Sequence, residues 1–249
     1  MQDRPRLHVH PDAALLQANA SVPMREDQAH YLGAVLRRGA GDAVRLFNQR
    51  DGEWEASIGQ LHKRGRGDFL LSHQVRPSCD EGGPVLLFAP LKRDATDLVV
   101  RMATELGVRA IRPVLTERTN TGRVNLDRLR AIATEAAEQC ERLSVPDLLE
   151  PVRLPDLLGG WPPDAPIWAA IERSAAVGGP TALGAALLIG PEGGFTPHEL
   201  DLLRSRPFVA AVSLGGRILR ADTAVAAGLA CLQAGRERWG LVPEGAASL

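Results

Sequence analysis

Between Ala186 and Leu232 the chain twice runs from a short apolar stretch into glycines and then into a helix signal, a pattern that few folds accept. Ala186-Leu187-Leu188-Ile189 is apolar throughout and is stopped by Gly190-Pro191-Glu192-Gly193-Gly194. This predicts a buried strand opening into a loop of exposed backbone. Thr196 then stands as N-cap, Pro197 at the first helical position and Glu199 three residues after the cap, so a reciprocal capping box is complete. Phe208 to Leu214 repeats the apolar strand, Gly215-Gly216 breaks it, and Asp222 is the expected cap of an alanine-rich helix reaching about Arg236. Two glycine loops therefore leave the same ends of two strands. In open α/β sheets ligands bind outside those ends, where glycine lets them lie against bare N–H and C=O groups. Glycines after a strand are also ordinary turn residues, but two such loops, with Glu192, Arg217 and Arg220 among few other polar groups, favour a site.

Upstream, the chain divides in two. Arg6 to His10 reads as a short strand, and Arg25 to Leu36 as a helix with Ala29, Leu32, Val35 and Leu36 on one face. Ala43 to Asn48 and Trp54 to Leu61 are strands around the turn Gln49-Arg50-Asp51-Gly52, where Asp-Gly favours a hairpin. Trp54, Ala56 and Ile58 alternate with Glu53, Glu55 and Ser57, marking one buried face. Phe69 to Val75 adds another strand to this β-rich front domain, residues 1–76. Its basic turn Lys63-Arg64-Gly65-Arg66, and Arg6, are the candidate phosphate contacts, although a charged hairpin tip is more often simply solvated.

Residues 77–84 are polar and rich in breakers, and read as a linker. Beyond it, in residues 85–249, strands alternate with helices. Val85 to Leu91 is a strand, Asp94 to Leu106 a helix ended by Gly107, and Val108 to Val114 a strand. Asn125 to Leu143 is a helix with Leu129, Ile132, Ala136, Cys140 and Leu143 on its apolar stripe, and Ile167 to Ile171 is the next strand. With the two strands above, five strands alternate with helices, which predicts a mostly parallel sheet covered on both faces.

Charge and cysteine usage narrow the function classes. Net charge is −1, so any nucleic-acid surface is a local patch rather than a global field. Through Arg76 there are eleven Lys and Arg against nine Asp and Glu, leaving eighteen against twenty-one, so the front is mildly basic. Cys79, Cys140 and Cys231 are odd in number and form no CxxC pair, which argues against a disulfide framework or a zinc site and for a reducing cytoplasm. The start, MQDRPRLHVHPD, has no apolar targeting core, and no apolar run approaches membrane-spanning length. GxxxxGK[ST], GxSxG, HExxH and GxGxxG after a strand are all missing, so P-loop, hydrolase, zincin and Rossmann readings lack their defining residues.

GPEGG at Gly190 and LGGRILRADTA from Leu214 closely resemble the signature motifs of SPOUT methyltransferases, and within them of the RsmE family of 16S ribosomal RNA methyltransferases. ATELGV from Ala103 and EAAEQCER from Glu135 extend the resemblance over most of residues 1–240. Met102 stands where that family usually has lysine, and Asp222 where it usually has glutamate. The resemblance implies a PUA-like β-barrel followed by a SPOUT domain with a carboxyl-terminal trefoil knot, pairing as a homodimer. It implies S-adenosylmethionine as cofactor, held by Ile171, Ile189, Gly190, Pro191, Glu192, Gly193, Gly194, Leu214, Gly215, Ile218, Leu219, Arg220 and Thr223. It also implies 16S rRNA of the small ribosomal subunit as substrate, methylated at N3 of uridine 1498.

Methylation at N3 fits the residues present. C5 of a pyrimidine becomes nucleophilic only after a thiolate adds to the ring, whereas N3 needs only to lose its proton. Cys140, by its helical spacing, is expected in the core instead. Arg217 and Arg220 are the candidate donors to charge spreading over O2 and O4, and either could instead hold the cofactor carboxylate. Glu192 or Asp222 is the candidate proton acceptor. Because N3 lies on the Watson–Crick edge, the base must be unpaired when it reacts. Two other readings stay open at this point: a non-catalytic RNA-binding or assembly factor that kept the fold, and a nucleotide-binding enzyme using the glycine loops for phosphate.

Overall fold

A computed structural model describes residues 4–62, 66–119, 123–171 and 185–238. The chain forms two compact units, one of residues Met1–Asp80 with Ala137–Val145, the other of Glu81–Ala136 with Pro146–Leu249.

The first unit is built on a five-stranded sheet. Its strands are β1 (Arg6–His8), β2 (Ser21–Pro23), β3 (Ala43–Asn48), β4 (Gly52–His62) and β5 (Arg66–Arg76), in the order β1-β3-β4-β5-β2. The Asp-Gly hairpin forms as expected. Gly52 takes φ +77°, and a Cβ there would fall 2.3 Å from the Arg76 carbonyl oxygen, so only glycine fits. Just after β2, Met24 N–H donates to the Gly67 carbonyl of β5, and the Arg25 and Gln28 side chains, at the start of the following helix, donate to the His8 carbonyl of β1. Leu32, Val44, Leu46, Ile58 and Phe69 fill the interior.

Three expectations for this unit need correction. The helix expected over residues 25–36 is α-helical only over Glu26–His30 (α1) and then widens into a π turn, Tyr31–Val35, closed by Leu36 N–H on the Tyr31 carbonyl. The wider turn rotates the apolar face by about one residue. Val35, expected in the core, is therefore 59% exposed. Glu53, expected to face solvent, is only 4% exposed. Its carboxylate pairs with Arg76 at 2.9 Å, Arg6 at 3.2 Å and Arg45 at 3.6 Å, and a buried charge persists only with such partners. Arg6 also donates to the carbonyls of Ala137 (2.7 Å) and Arg142 (2.6 Å) and lies 3.4 Å from the Phe47 ring centroid. Its side chain is 7% exposed, so Arg6 fastens residues 137–145 to the sheet instead of facing RNA. Burial lowers its pKa, and Glu53 opposes that shift.

The second unit is a parallel sheet of seven strands. They are β6 (Val85–Phe88), β7 (Ala110–Leu115), β8 (Asp147–Leu148), β9 (Val152–Arg153), β10 (Ile167–Ala170), β11 (Ala186–Ile189) and β12 (Val209–Val212). The order is β12-β10-β11-β6-β7-β8, with β9 also pairing to β7. The five expected strands are all present. The central pair, β6 and β11, is buried at every position, which explains their unbroken apolar runs. The two-residue strands β8 and β9 and the helix α4 (Leu154–Gly160) were not expected from sequence.

Helices α2 (Arg93–Glu105), α3 (Leu126–Gln139), α5 (Pro197–Arg204) and α6 (Ala221–Arg238) complete the alternation. Gly107 ends α2 with φ +73°. The third helix stops four residues short of Leu143, so Cys140 is exposed instead of lying on an apolar stripe. Helix α6 already begins at Ala221, which places Asp222 in its first turn rather than at its cap. This helix packs on α2 and β11, and at Gly228 an added Cβ would lie 2.7 Å from a Leu187 methyl group, so the approach itself selects glycine.

Candidate active site

Parallel pairing brings the carboxyl ends of β10, β11 and β12 to one edge of the sheet, because all of them run with β6. Strand order also reverses here. After β9 the chain leaves the β7 side, lays down β10, inserts β11 between β10 and β6, and puts β12 outside β10. A reversal of this kind opens the crevice in which α/β sheets bind ligands. Ile171 and Ile189, at the ends of β10 and β11, are both buried and form its apolar floor.

The loop after β11 is a tight turn closed by Gly194 N–H on the Pro191 carbonyl at 2.8 Å. Its glycines serve different ends. A Cβ on Gly190 would fall 2.8 Å from the buried ring of Phe195, so this glycine is needed by packing. Gly194, at φ +68°, has nothing within 4 Å of its Cβ position, so its backbone stands open. Pro191 is buried, while Glu192 and Gly193 are exposed. The loop after β12 is open too: Gly215, at φ +114°, and Gly216 meet nothing within 4 Å. Leu214 and Leu219 are half-buried and Ile218 is 66% exposed.

Arg217 and Arg220 share that loop, and both are exposed. Among the described residues neither meets a carboxylate, so both guanidinium groups are available to a ligand. Arg220 immediately precedes α6, whose first turn closes through Ala224 N–H on the Arg220 carbonyl at 2.8 Å. Asp222 accepts through Oδ1 from the Thr223 N–H (2.7 Å) and the Thr223 hydroxyl (3.3 Å). Its other oxygen, and the exposed carboxylate of Glu192, remain as acceptors.

The capping box forms as expected, but Glu199 does more than complete it. This carboxylate is 3% exposed, and it accepts from Thr196 N–H at 2.9 Å and from Glu117 N–H, in the loop after β7, at 2.8 Å. From the same loop Arg118 donates to the Gly193 carbonyl at 2.7 Å. The β7 loop thus braces the β11 loop at two points, and those partners lie 75 to 82 residues apart. Local motif reading cannot find such a brace; the only signal was a glutamate at N3.

Of the expected RNA contacts, Lys63 and Arg64 lie outside the described residues. Arg66 is exposed at the start of β5. Open backbone at Gly194, Gly215 and Gly216, apolar side chains beside it and two unpaired guanidinium groups suit a ligand with a flat apolar part and a carboxylate.

Comparison with known proteins places the chain in a family. A family model described as the RNA methyltransferase domain matches residues 84–233, and one described as the RNA methyltransferase PUA domain matches residues 25–65. The ribosomal RNA small subunit methyltransferase E of Rickettsia conorii is 33% identical over 223 residues, covering 86% of this chain and 90% of its own. That of Synechocystis is 34% identical over 240 residues, covering 92% and 77%. Among solved structures, a putative methyltransferase from Legionella pneumophila in complex with S-adenosylmethionine aligns with a TM-score of 0.82 at 26% identity, over 94% of this chain and 98% of that one. The small subunit methyltransferase E of Neisseria gonorrhoeae, also bound to S-adenosylmethionine, gives 0.80 at 27%, over 93% and 98%. With most of its length matched by relatives of one kind and its second unit matched by their domain model, the chain belongs to the ribosomal RNA small subunit methyltransferase E family of RNA methyltransferases.

Proposed function

We propose that this chain transfers a methyl group from S-adenosylmethionine to N3 of a uridine in 16S ribosomal RNA, uridine 1498 by family expectation. The observation that carries the reading is the pair of open glycine loops at the strand-order reversal, with Arg217 and Arg220 on the second of them meeting no carboxylate among the described residues. Ile171, Ile189, Leu214, Ile218 and the backbone of Gly190 to Gly194 and Gly215 would hold the cofactor, with Leu219 and Thr223 beside them. When bound, it supplies an electrophilic methyl carbon on a sulfonium.

The chain's own residues do the rest. Arg220 or Arg217 donates to the uracil oxygens as the N3 proton leaves, which stabilises an anion that is itself the nucleophile. Glu192, or the free oxygen of Asp222, accepts that proton. The brace on the β11 loop holds Glu192 in place, and proximity rather than a covalent intermediate lowers the barrier. Residues 1–76 would act as the RNA-binding domain, with Lys63, Arg64 and Arg66 on phosphates, joined by residues 77–84 to the methyltransferase domain, residues 85–249. A trefoil knot, pairing as a homodimer, a cytoplasmic setting and an assembled small subunit as substrate belong to the same proposal.

Two measurements test it. Titration with S-adenosylhomocysteine by calorimetry should show a single class of site on each chain. Primer extension on ribosomal RNA should lose one stop in cells without the protein and regain it on complementation. Cofactor binding with an unchanged set of stops would leave the site intact and remove the substrate.

A further inference from the structure

A second concavity lies on the same edge of the second unit, outside the residues assigned to the cofactor. It is a cleft of about 340 Å³ between the loop after β6 and the loop that enters α3, lined among others by Leu91, Arg93, Asp97, Arg123, Asn125 and Arg128. A volume of this size exceeds a bare phosphate and lies near the lower end of the range for small-molecule sites, about 300 to 1,000 Å³. Three arginines and one aspartate are among the cleft's lining residues. That carboxylate, Asp97, is taken up by Arg128, whose side chain is one-third exposed. Arg93 and Arg123 are exposed and meet no acidic side chain among the described residues.

The cleft is also rigidly framed. The Thr96 hydroxyl accepts from Leu91 N–H and donates to the Leu91 carbonyl, both at 3.0 Å, fixing the β6 loop on the first turn of α2. Asn125 caps α3 by accepting from Arg128 N–H at 3.0 Å. Two of the cleft's cations meet no acidic side chain among the described residues, and the third is held by a half-buried ion pair. Arg123, Val124 and Asn125, which line one side, precede α3, and Glu117 and Arg118, which follow β7, brace the glycine loop after β11.

We propose that this cleft is a seat for the substrate RNA, taking a backbone phosphate with its sugar close to the nucleotide that is methylated. This rests on the reading of the chain as an RNA methyltransferase, and adds to it where the RNA backbone is gripped within the second unit. Arg93 and Arg123 contact the phosphate oxygens, and Arg128, fixed by Asp97, presents its remaining donors to the sugar side. Contacts of this kind set register and carry no sequence information.

The test is the double variant Arg93→Gln, Arg123→Gln in the full chain, with Arg204→Gln, an exposed arginine of α5, as a control for loss of general charge. A fluorescent 16S fragment spanning the target provides binding isotherms from low to high salt, and calorimetry provides S-adenosylhomocysteine affinity. Two lost contacts to single-stranded phosphates should flatten the slope of log affinity against log salt by about 1.4. That slope change corresponds to about 25-fold weaker RNA binding at 0.1 M salt if the affinities converge near 1 M. Cofactor affinity should stay at the parent value. An unchanged slope, or an equal change in Arg204→Gln, overturns the proposal, as does weakened cofactor binding, which would give the cleft to the cofactor. A variant that loses RNA affinity in a parent that transfers no methyl group keeps the cleft and removes the enzymatic reading. A parent that binds no RNA overturns both.

Discussion

Glu199→Gln tests whether the active-site loop is held from outside its own motif. The carboxylate satisfies two backbone donors with two oxygens, Thr196 N–H and Glu117 N–H. Glutamine offers one oxygen, and its amide group would turn an N–H toward whichever donor is left. One charge-assisted bond is lost, about 1.5 to 3 kcal/mol, and an orphaned donor costs about 1 to 3 more if it stays dry. Thr196 is half-buried and Glu117 exposed, so water reaches the two donors in part and a net loss of about 3 kcal/mol is expected. At roughly 2 to 4 °C per kcal/mol for a chain of this size, the transition of the second unit should fall by about 6 to 12 °C in a calorimetric scan. If about 1 kcal/mol of that loss falls on the binding-competent arrangement of the β11 loop, S-adenosylhomocysteine affinity drops about fivefold. Thr196→Ala separates the brace from the cap. It removes a hydroxyl that accepts from Glu199 N–H at 3.3 Å and should cost only about 1 kcal/mol. Equal losses in the two variants, or a Glu199→Gln protein that unfolds and binds like the parent, would show that the span to Glu117 contributes nothing.

The remaining predictions concern separate parts of the chain. Gly194→Val puts a β-branched residue at φ +68° into open space, so cofactor binding should be abolished while the fold survives; circular dichroism and calorimetry read the two outcomes. Gly228→Ala drives a methyl group to 2.7 Å from Leu187, itself fully buried, and should lower stability by about 1 to 3 kcal/mol in urea titration with little effect on RNA affinity. Arg220→Lys keeps the charge but loses the planar fork, so single-turnover methyl transfer with RNA and cofactor saturating should slow by about 10²–10³, and normal turnover would pass the catalytic assignment to Arg217. Burial raises the Glu138 carboxyl from 4.5 to about 7, and burial together with Arg25 lowers His8 from 6.5 to about 4. The Glu138 contribution is full below pH 4.5 and is lost as pH rises through 7; that of His8 is full above 6.5 and is lost as pH falls through 4, so between 4.5 and 6.5 the two slopes oppose. Glu138→Gln leaves His8 alone, and urea stability of the first unit should then rise by about 2 kcal/mol from pH 4.5 to 6.5 where the parent stays nearly flat.

How far the fold could be read from sequence depended on whether a residue's surroundings are local. The strands β6 and β11 are buried on both faces, so apolar runs were sufficient to find them; Thr196, Pro197 and Glu199 cap their own helix, so three letters fixed its start. Asp222 misled because Arg220 and Ala221 already adopt the helix entry, which no cap preference could signal. Val35 misled because a single widened turn breaks the 3.6-residue period on which its placement rested. The open glycines of the site were legible, whereas the brace from Glu117 and Arg118 was not, since it pairs backbone with side chains from distant sequence.

Glu53 shows the limit most clearly. Its place in the alternation of β4 assigns it to the outer face, and it does lie on the face opposite Ala56 and Ile58. What the alternation cannot state is that this outer face is itself covered. Residues 137–145 return to lie over it, and Arg6, Arg45 and Arg76, from β1, β3 and β5, supply the counter-charges. A carboxylate buried there without them would cost several kcal/mol, so the three arginines and the returning segment must be present together for the glutamate to be tolerated. The period of a strand fixes which way a side chain points; whether water is there when it arrives is decided by chain more than 80 residues away, as the 131-residue separation between Arg6 and the Ala137 carbonyl shows.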